Sequence, residues 1–443
     1  MISTPISDFV EKYAKSDITR LHMPGHKGVG NIEAYDITEV LGADSLFDPD
    51  GIIRESEENV SRLFGAPTYY STEGSSLAIR AMIYLAAIDA RLKGKEPKVL
   101  AGRNAHRVFV SAAALLDLEV EWLTGVGGYL SCGVTAGDVD NALSGDSTLT
   151  AVYLTSPDYL GNTVDIKAIS EVCKRHGALL LIDNAHGAYL KFLTPSRHPI
   201  DLGADMCADS AHKTLSVLTG GAYLHLSDSI SLKVSVMAKD ALALFASTSP
   251  SYLILASLDR MNEYLDGDYR RDLTTLVDKI KVVKQKLAEN GYTLIGDEPM
   301  KITIDASLYG YRGDALANLL RASGIEPEFS DRDYVTLMPS VSDTGAVEKL
   351  LDVLLEIPGK APIQDNSLRV LSPERVMSIR EATMMPYESV PLSECAGRIL
   401  AVADASCPPA VPILFPGERI TEEHISVFGY YGKTALKVIK EKI

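Results

Sequence analysis

Ala178-Leu179-Leu180-Leu181-Ile182 runs without a polar break into Asp183-Asn184-Ala185-His186-Gly187, and this stretch decides how the chain is read. An unbroken apolar run closed by an acid is what a strand buried on both faces of a parallel sheet looks like. Open α/β sheets gather ligands at the carboxyl ends of such strands. Downstream, Ser210-Ala211-His212-Lys213-Thr214 sets a lysine beside a histidine after a second short apolar run, just ahead of Gly220-Gly221. A lysine so placed can form an imine.

An acid and an imine-forming lysine on neighbouring strand ends suggest pyridoxal phosphate (PLP), with the lysine on the aldehyde and the acid facing the pyridine nitrogen. Two stretches upstream extend the set. Glu73-Gly74-Ser75-Ser76 stands where a loop enters a helix, so backbone N–H groups and two hydroxyls converge on the positive end of the helix dipole. That suits a phosphate, and it suits a plain helix cap equally well. Gly102-Arg103-Asn104-Ala105-His106 follows another apolar run. His106 reads either as a structural histidine or as an imidazole stacked flat on a pyridine ring.

The chain has 443 residues, 46% of them hydrophobic and 23% charged, which is the composition of a large globular protein with room for two or three domains. Its 59 acids against 43 bases, net −16, argue against nucleic acid or an anionic membrane as partner. Cys132, Cys173, Cys207, Cys395 and Cys407 form neither a CxxC pair nor a disulfide framework, and read as reduced thiols. No metal-ligand set is expected. Met1-Ile2-Ser3-Thr4-Pro5 does not open a signal peptide, and no apolar run approaches the roughly 18 residues of a membrane span, so the cytoplasm is the expected compartment.

Residues 1–50 are rich in Gly, Pro, His and Asp and read as an irregular arm. Residues 51–290 alternate helix and strand. Helices are predicted at Glu55–Phe64 and Ser75–Lys93, and strands at Lys98–Ala101, Glu119–Leu123, Thr150–Thr155, Leu179–Asp183, Met206–Ala208 and Ala222–Leu226. The alternation implies a mostly parallel sheet wrapped by helices. A long helical stretch, Ser251–Asn290, leads into a small α+β domain over residues 291–443, with strands at Lys301–Asp305 and Tyr334–Met338 and helices at Gly313–Ser323 and Thr344–Ile357. A Pro-rich tail from Pro358 carries a predicted helix at Ser372–Glu381.

The order Gly-Ser-Ser, His, Asp-x-x-His, Ser-x-His-Lys resembles the fold-type-I PLP enzymes, and more closely the ornithine/lysine/arginine decarboxylases. Leu21-His22-Met23-Pro24-Gly25-His26-Lys27-Gly28 is close to that family's N-terminal His-x-Pro-Gly-His-Lys. Thr155-Ser156-Pro157, Ser247-Thr248-Ser249-Pro250 and, in the tail, Pro408-Pro409-Ala410-Val411-Pro412 and Phe415-Pro416-Gly417-Glu418 extend the resemblance over nearly the whole chain. It implies an aspartate-aminotransferase-like α/β domain with a mostly parallel seven-stranded sheet, a small α+β C-terminal domain, and no N-terminal wing domain.

By resemblance, Lys213 carries the internal aldimine and Asp183 pairs with the pyridinium nitrogen. His106 stacks on the ring, Ala185 packs on its other face, and His186 lies near the ring hydroxyl. Gly74, Ser75, Ser76, Ser210 and His212 line the phosphate. Family members act as homodimers with the site at the interface, which gives Thr248 to the partner's phosphate. The implied reaction is decarboxylation of arginine, lysine or ornithine to the amine and CO2 through a quinonoid intermediate, a step in polyamine biosynthesis. A carboxylate near the ring nitrogen favours its protonated form, and the protonated ring accepts the electron pair left by CO2. Lys213 or His212 is the candidate acid for returning a proton to Cα.

Three positions depart from the family pattern: Glu73 where Asn is common, Asn184 for the frequent Glu, and Gly220-Gly221 for Gln-Gly. Glu73 would set a negative charge near the phosphate unless it turns away or meets Arg103 or Lys27. A basic substrate needs an acid for its side chain, and Asp44, Glu328, Asp331 and Glu388 are the candidates. Other chemistry on the same scaffold stays open: aminotransferase-like, lyase or α-oxoamine-synthase-like reactions, or PLP binding without decarboxylation.

Overall fold

The computed structural model describes residues 2–126, 128–363, 373–403 and 409–440. Cys407, Pro408 and Ser372 lie outside the described residues. In chain order the elements are α1 (Pro5–Ala14), α2 (Ile52–Phe64), β1 (Thr68–Ser71), α3 (Gly74–Leu92), β2 (Lys98–Gly102), α4 (Arg107–Leu116), β3 (Glu119–Leu123), α5 (Ala136–Gly145), β4 (Ala151–Thr155), α6 (Ile166–His176) and β5 (Leu179–Asp183). Then come β6 (Met206–Asp209), α7 (Ala211–Thr214), β7 (Ala222–Leu226), α8 (Leu232–Ser235), α9 (Ala238–Ala243), α10 (Tyr252–Asp266) and α11 (Tyr269–Glu289). The C-terminal part holds β8 (Thr293–Ile295), β9 (Ile302–Asp305), α12 (Gly313–Ala322), β10 (Phe329–Ser330), β11 (Tyr334–Leu337), α13 (Gly345–Glu356), α14 (Ile379–Met384), β12 (Tyr387–Pro391), α15 (Glu422–Tyr430) and β13 (Ala435–Ile439).

The main sheet has seven strands in the order β1-β7-β6-β5-β4-β2-β3. β5 and β6 run parallel with Asp183 opposite Ala208, and β2 runs parallel to β3. β7 is antiparallel to both β6 and β1. All five residues of β5 are buried, as its unbroken apolar run requires of a strand covered on both faces. The sheet therefore has the mostly parallel α/β character expected from the alternation of elements.

Chain contacts divide the molecule into two compact units. The first comprises Met1–Pro97, Asp146–Tyr153 and Ile166–Leu273. Within it α3 buries Leu77, Ala78, Ala81, Met82 and Leu85, a near-continuous apolar surface with no strong polar face. The second comprises Lys98–Gly145, Leu154–Asp165 and Thr274–Ile443. It contains the antiparallel four-stranded sheet β10-β11-β9-β8 and the β12-β13 ribbon, whose Val390, Leu436 and Val438 pack with Leu400, Leu414, Ile420 and Phe428.

Several elements differ from expectation. The N-terminal arm is not wholly irregular: Pro5 opens α1, which buries Ile6 and Val10, and Ser7 N donates to the Asp259 carboxylate at 2.9 Å. The long stretch 251–290 breaks at Gly267-Asp268 into α10 and α11. The tail helix begins at Ile379 under a capping box of Ser378 and Glu381, later than predicted. β1 was not anticipated, and it forms because Thr68–Ser71 pairs along β7. No helix among the described residues is long and apolar enough to cross a membrane.

Candidate active site

Asp183 ends β5 with its side chain 2% exposed. Its Oδ2 accepts from the Tyr153 hydroxyl at 3.1 Å and its Oδ1 from Ala185 N at 3.1 Å. Burial pushes its carboxyl upward, against the opposing pull of Ala185 N–H, the Lys213 charge and the Tyr153 hydroxyl. A carboxylate held this way is ready for a cationic N–H partner. Beyond it, the chain turns through Asn184-Ala185-His186-Gly187, where Gly187 N donates to Asn184 O at 2.7 Å. A Cβ at Gly187 would collide with the Asn184 and Leu190 side chains, which would have to shift to admit it.

The turn delivers His186, 4% exposed, to the half-buried Lys213. Lys213 Nζ and His186 Nε2 lie 3.1 Å apart. A lysine ammonium would donate to Nε2, and a neutral amine could accept from it. Lys213 is carried on α7, the four-residue helix after β6, with Ser210 at its N-cap and Lys213 N donating to Ser210 O at 3.1 Å. His212 is anchored by its own N–H to Gly221 O at 3.1 Å. Burial, then the adjacent Lys213 charge, lower the His212 imidazole below its ordinary value, so it is neutral at pH 7.

The hydroxyls of Ser210 and Ser75 meet at 2.7 Å, which brings the start of α7 to the start of α3. Gly74, at φ 72°, begins α3, and its N–H donates to Gly220 O at 2.7 Å. Ser76 follows, half-buried. Glu73 turns away: its carboxylate accepts from Ser247 N at 2.7 Å, tying it to the loop that carries the exposed Thr248. It meets neither suggested cation. Lys27 Nζ donates to His22 O, and Arg103 pairs with Glu418 at 2.7 Å within the second unit. Of the expected site residues, Gly74, Ser75, Ser76, Asp183, Ala185, His186, Ser210, His212, Lys213 and Thr248 all belong to the first unit. His106 belongs to the second, where its Nδ1 accepts from Val108 N at 3.2 Å and caps α4.

Sequence reasoning missed two groups. Tyr153 lies inside the apolar run of β4, and nothing in that run announced a hydroxyl aimed at Asp183. Asp209, fully buried, accepts from Asn184 Nδ2 at 2.7 Å and Cys207 Sγ at 3.3 Å and stands 3.0 and 3.2 Å from His198 Nε2 and His225 Nε2. Burial opposes its charge, but the two imidazoles overcome it and hold the carboxyl well below the usual range. The Asn184 that departs from the family pattern is thus half of a buried amide–carboxylate pair. Donor atoms of His198, Cys207 and Asp209 cluster within 4.8 Å, with the aspartate oxygens already occupied by these hydrogen bonds.

Each of the four acids considered for substrate recognition already has a partner. Asp44 accepts from the backbone N–H groups of Ser45, Asp50, Gly51 and Ile53 and serves its own loop. Glu328 accepts from Tyr159 at 2.8 Å, and Glu388 pairs with Arg398 at 2.7 Å. Asp331 Oδ1 accepts from Asp333 N and Tyr334 N, both at 2.8 Å, and its carboxylate lies beside the Tyr129 hydroxyl.

The donor set fits PLP: a primary amine, a buried carboxylate beyond it, and paired hydroxyls with N–H groups at the start of a 19-residue helix. Comparison with known proteins shows the family. The family described as Orn/Lys/Arg decarboxylase, major domain, matches residues 4–303, and its C-terminal domain matches residues 363–440. A protein named arginine decarboxylase from Bacillus subtilis (strain 168) is 29% identical over 462 residues, covering 96% of this chain and 92% of its own length. Another of that name, from Halalkalibacterium halodurans, is 29% identical and covers 98% of this chain and 94% of its own length. The solved lysine decarboxylase of Francisella novicida superposes with a TM-score of 0.80 at 18% identity, over 99% of this chain and 81% of that one, and so shares its fold.

Proposed function

We propose, from the premise that the chain belongs to the Orn/Lys/Arg decarboxylase family, that it is a PLP-dependent carboxy-lyase that converts a basic amino acid to its amine and CO2. The observation that carries this reading is the Asp183, Lys213 and His186 constellation, assembled within one unit on two neighbouring strand ends. When bound, PLP supplies the electron sink for the pair left by the departing carboxylate.

The residues have distinct tasks. Lys213 Nζ is the amine that would hold the cofactor aldehyde, and Asp183, whose carboxylate Tyr153 fixes, would favour a protonated ring nitrogen. Gly74, Ser75, Ser76 and Ser210 would hold the cofactor phosphate, and Ala185 would pack against the ring; the Ser210–Ser75 and Gly74–Gly220 hydrogen bonds bring the cradle together. Lys213, in contact with His186 Nε2, is better placed than the neutral His212 to return a proton to Cα.

We assign a homodimer on similar grounds. Leu21, Met23, Val29, Ile32 and Leu41 in the N-terminal arm are between 62% and 101% exposed, a concentration of apolar side chains that a second copy of the chain would cover. Thr248 would then serve the partner's phosphate site. The reaction belongs to the cytoplasm and to polyamine biosynthesis. The test is to supply the PLP-loaded protein with arginine, lysine, ornithine and neutral controls and to follow CO2 together with amine. CO2 and amine in equal amounts from one basic substrate support the reading; keto acid or ammonia without CO2 opposes it.

A further inference from the structure

Asp183 is the last residue of β5 and Asp209 the last of β6, and the two strands run parallel with Asp183 opposite Ala208. The backbone pairing continues one step further, with Asn184 N donating to Ala208 O at 3.0 Å. Beyond that bond the chains part, one into the 184–187 turn that carries His186, the other into α7 that carries Lys213. A side-chain bond spans the gap: Asn184 Nδ2 donates to Asp209 Oδ1 at 2.7 Å. We propose that Asn184 is a positioning residue, whose amide clamps the two strand ends and so fixes the Asp183 carboxylate relative to the Lys213 amine. The inference rests on the reading of Asp183 and Lys213 as the residues that meet bound PLP.

One side of the clamp is anchored. Asp209 is fully buried, and its Oδ2 stands 3.0 Å from Nε2 of His198, in the segment before β6, and 3.2 Å from Nε2 of His225 on β7. Both imidazoles are buried and held in their turn. His225 Nδ1 meets the Thr68 hydroxyl of β1 at 2.9 Å, and His198 packs edge-on against Phe64 with ring centroids 5.3 Å apart. Burial opposes a charge on Asp209, but the two imidazoles hold its carboxyl well below the usual range, so Asn184 donates to an anion. A hydrogen bond to an ionised acceptor is roughly twice as strong as a neutral one.

The other side of the clamp reaches the reactive groups. Asn184 is fully buried, and its amide has one workable orientation, because turning it round would set its oxygen against the carboxylate. As it stands, Oδ1 is buried without a hydrogen-bond partner and lies against Gly187, where a Cβ would collide with it. An unpaired buried acceptor is a cost that an apolar residue would avoid, and the bond made by the other end of the amide accounts for its retention. The amide thus stands between Asp209 and the turn. Within that turn Ala185 N donates to Asp183 Oδ1 at 3.1 Å, and His186 Nε2 lies 3.1 Å from Lys213 Nζ. A shift at Asn184 therefore passes to both catalytic ends, and a displacement of about 1 Å at such groups costs up to about a hundredfold in rate. A carboxylate at position 184 would face the Asp209 carboxylate, so the departure from the family pattern here is matched to Asp209.

The test uses the full-length, PLP-loaded protein and Asn184→Asp, which keeps the shape of the side chain and replaces its N–H donor by an oxygen. Asn184→Ala takes its place should that variant fail to fold. Asp209→Asn is not the probe, because an amide there still offers Asn184 an oxygen. Borohydride trapping at Lys213, visible circular dichroism of the bound cofactor, kcat and KM are measured on the folded protein. The Lys213 adduct is expected to persist while the dichroic band changes in sign or amplitude. In the same variant kcat is expected to fall roughly 10- to 100-fold with KM changed less than about threefold. Combining Asn184→Asp with Asp209→Asn, which exchanges donor and acceptor, is expected to recover at least about threefold of the lost kcat. A purely structural role would lower the melting temperature and leave the dichroic band and kcat of the folded protein unchanged, and that result would overturn the proposal. Absence of a Lys213 adduct in the unsubstituted protein would overturn the PLP reading itself, so the two failures are distinguishable.

Discussion

Lys213 Nζ lies 3.1 Å from His186 Nε2, so the amine and the imidazole share a hydrogen bond. An imidazole at this point steadies the amine and offers it a partner for proton exchange. His186→Ala is therefore expected to lower kcat for CO2 release by roughly 10- to 100-fold, the range typical of one proton-transfer partner, with a smaller change in KM. Steady-state kinetics on the basic substrate read this directly, and an unchanged kcat would remove His186 from the mechanism.

Asp183 and Tyr153 form a second pair with graded consequences. Asp183→Asn removes the charge that holds the ring nitrogen protonated, and a loss of about a hundredfold or more in turnover is expected with much of the cofactor retained. Tyr153→Phe removes one hydrogen bond to that carboxylate, about 1.5–3 kcal/mol, and is expected to cost roughly 10- to 100-fold. Turnover of the two variants, normalised to bound cofactor by absorbance, checks the order.

At Gly220 the backbone is at φ 101°, and a Cβ there would stand 2.8 Å from Thr72 O. Gly220 O is also the acceptor for Gly74 N at the phosphate cradle. Gly220→Ala is expected to destabilise the protein by about 1–3 kcal/mol and to weaken PLP binding. Denaturant melts with and without PLP check both effects.

Asp209 predicts a stability effect separate from chemistry. Asp209→Asn removes the carboxylate from a buried hydrogen-bond network with Asn184, His198 and His225, at about 1–3 kcal/mol. Because its carboxyl is held below the usual range, the stability it contributes is present above about pH 4 and is lost as the pH falls further. Chemical denaturation of the two proteins between pH 3 and 7 should show their midpoints converging at the acid end.

Asp259 works with the opposite sign. Burial raises it to about 6, against the Ser56 hydroxyl and the Ser7 N–H that hydrogen-bond to it. A carboxyl raised in the fold binds its proton more tightly than in the unfolded chain. Its contribution is complete below the ordinary value of 3.8 and is lost as pH rises through 6. Asp259→Asn is expected to flatten the fall in stability between pH 5 and 8, measured by denaturant midpoints.

The residues show why some of this was legible in the sequence. The unbroken run Leu179–Ile182 could bury only as a covered strand, so β5, its terminal Asp183 and the parallel sheet followed from it. Lys213 and His186 were visible because reactive side chains at strand ends are uncommon. Tyr153 was hidden because a tyrosine in a strand reads as core, and only its register against β5 aims the hydroxyl. Asp209, His198 and His225 come from three separate segments, so their pairing exists only in three dimensions. Asp331 was named with three other acids because sequence does not reveal which carboxylates backbone and side-chain donors have already satisfied.

The central claim is that Lys213 is the amine that holds PLP. Incubating the purified protein with PLP, reducing it with borohydride and locating the adduct by peptide mass spectrometry tests it most directly. The account predicts one pyridoxyl adduct per chain, on the peptide containing Lys213, and none on that peptide after Lys213→Ala. An adduct on another lysine, or no adduct at all, would contradict it.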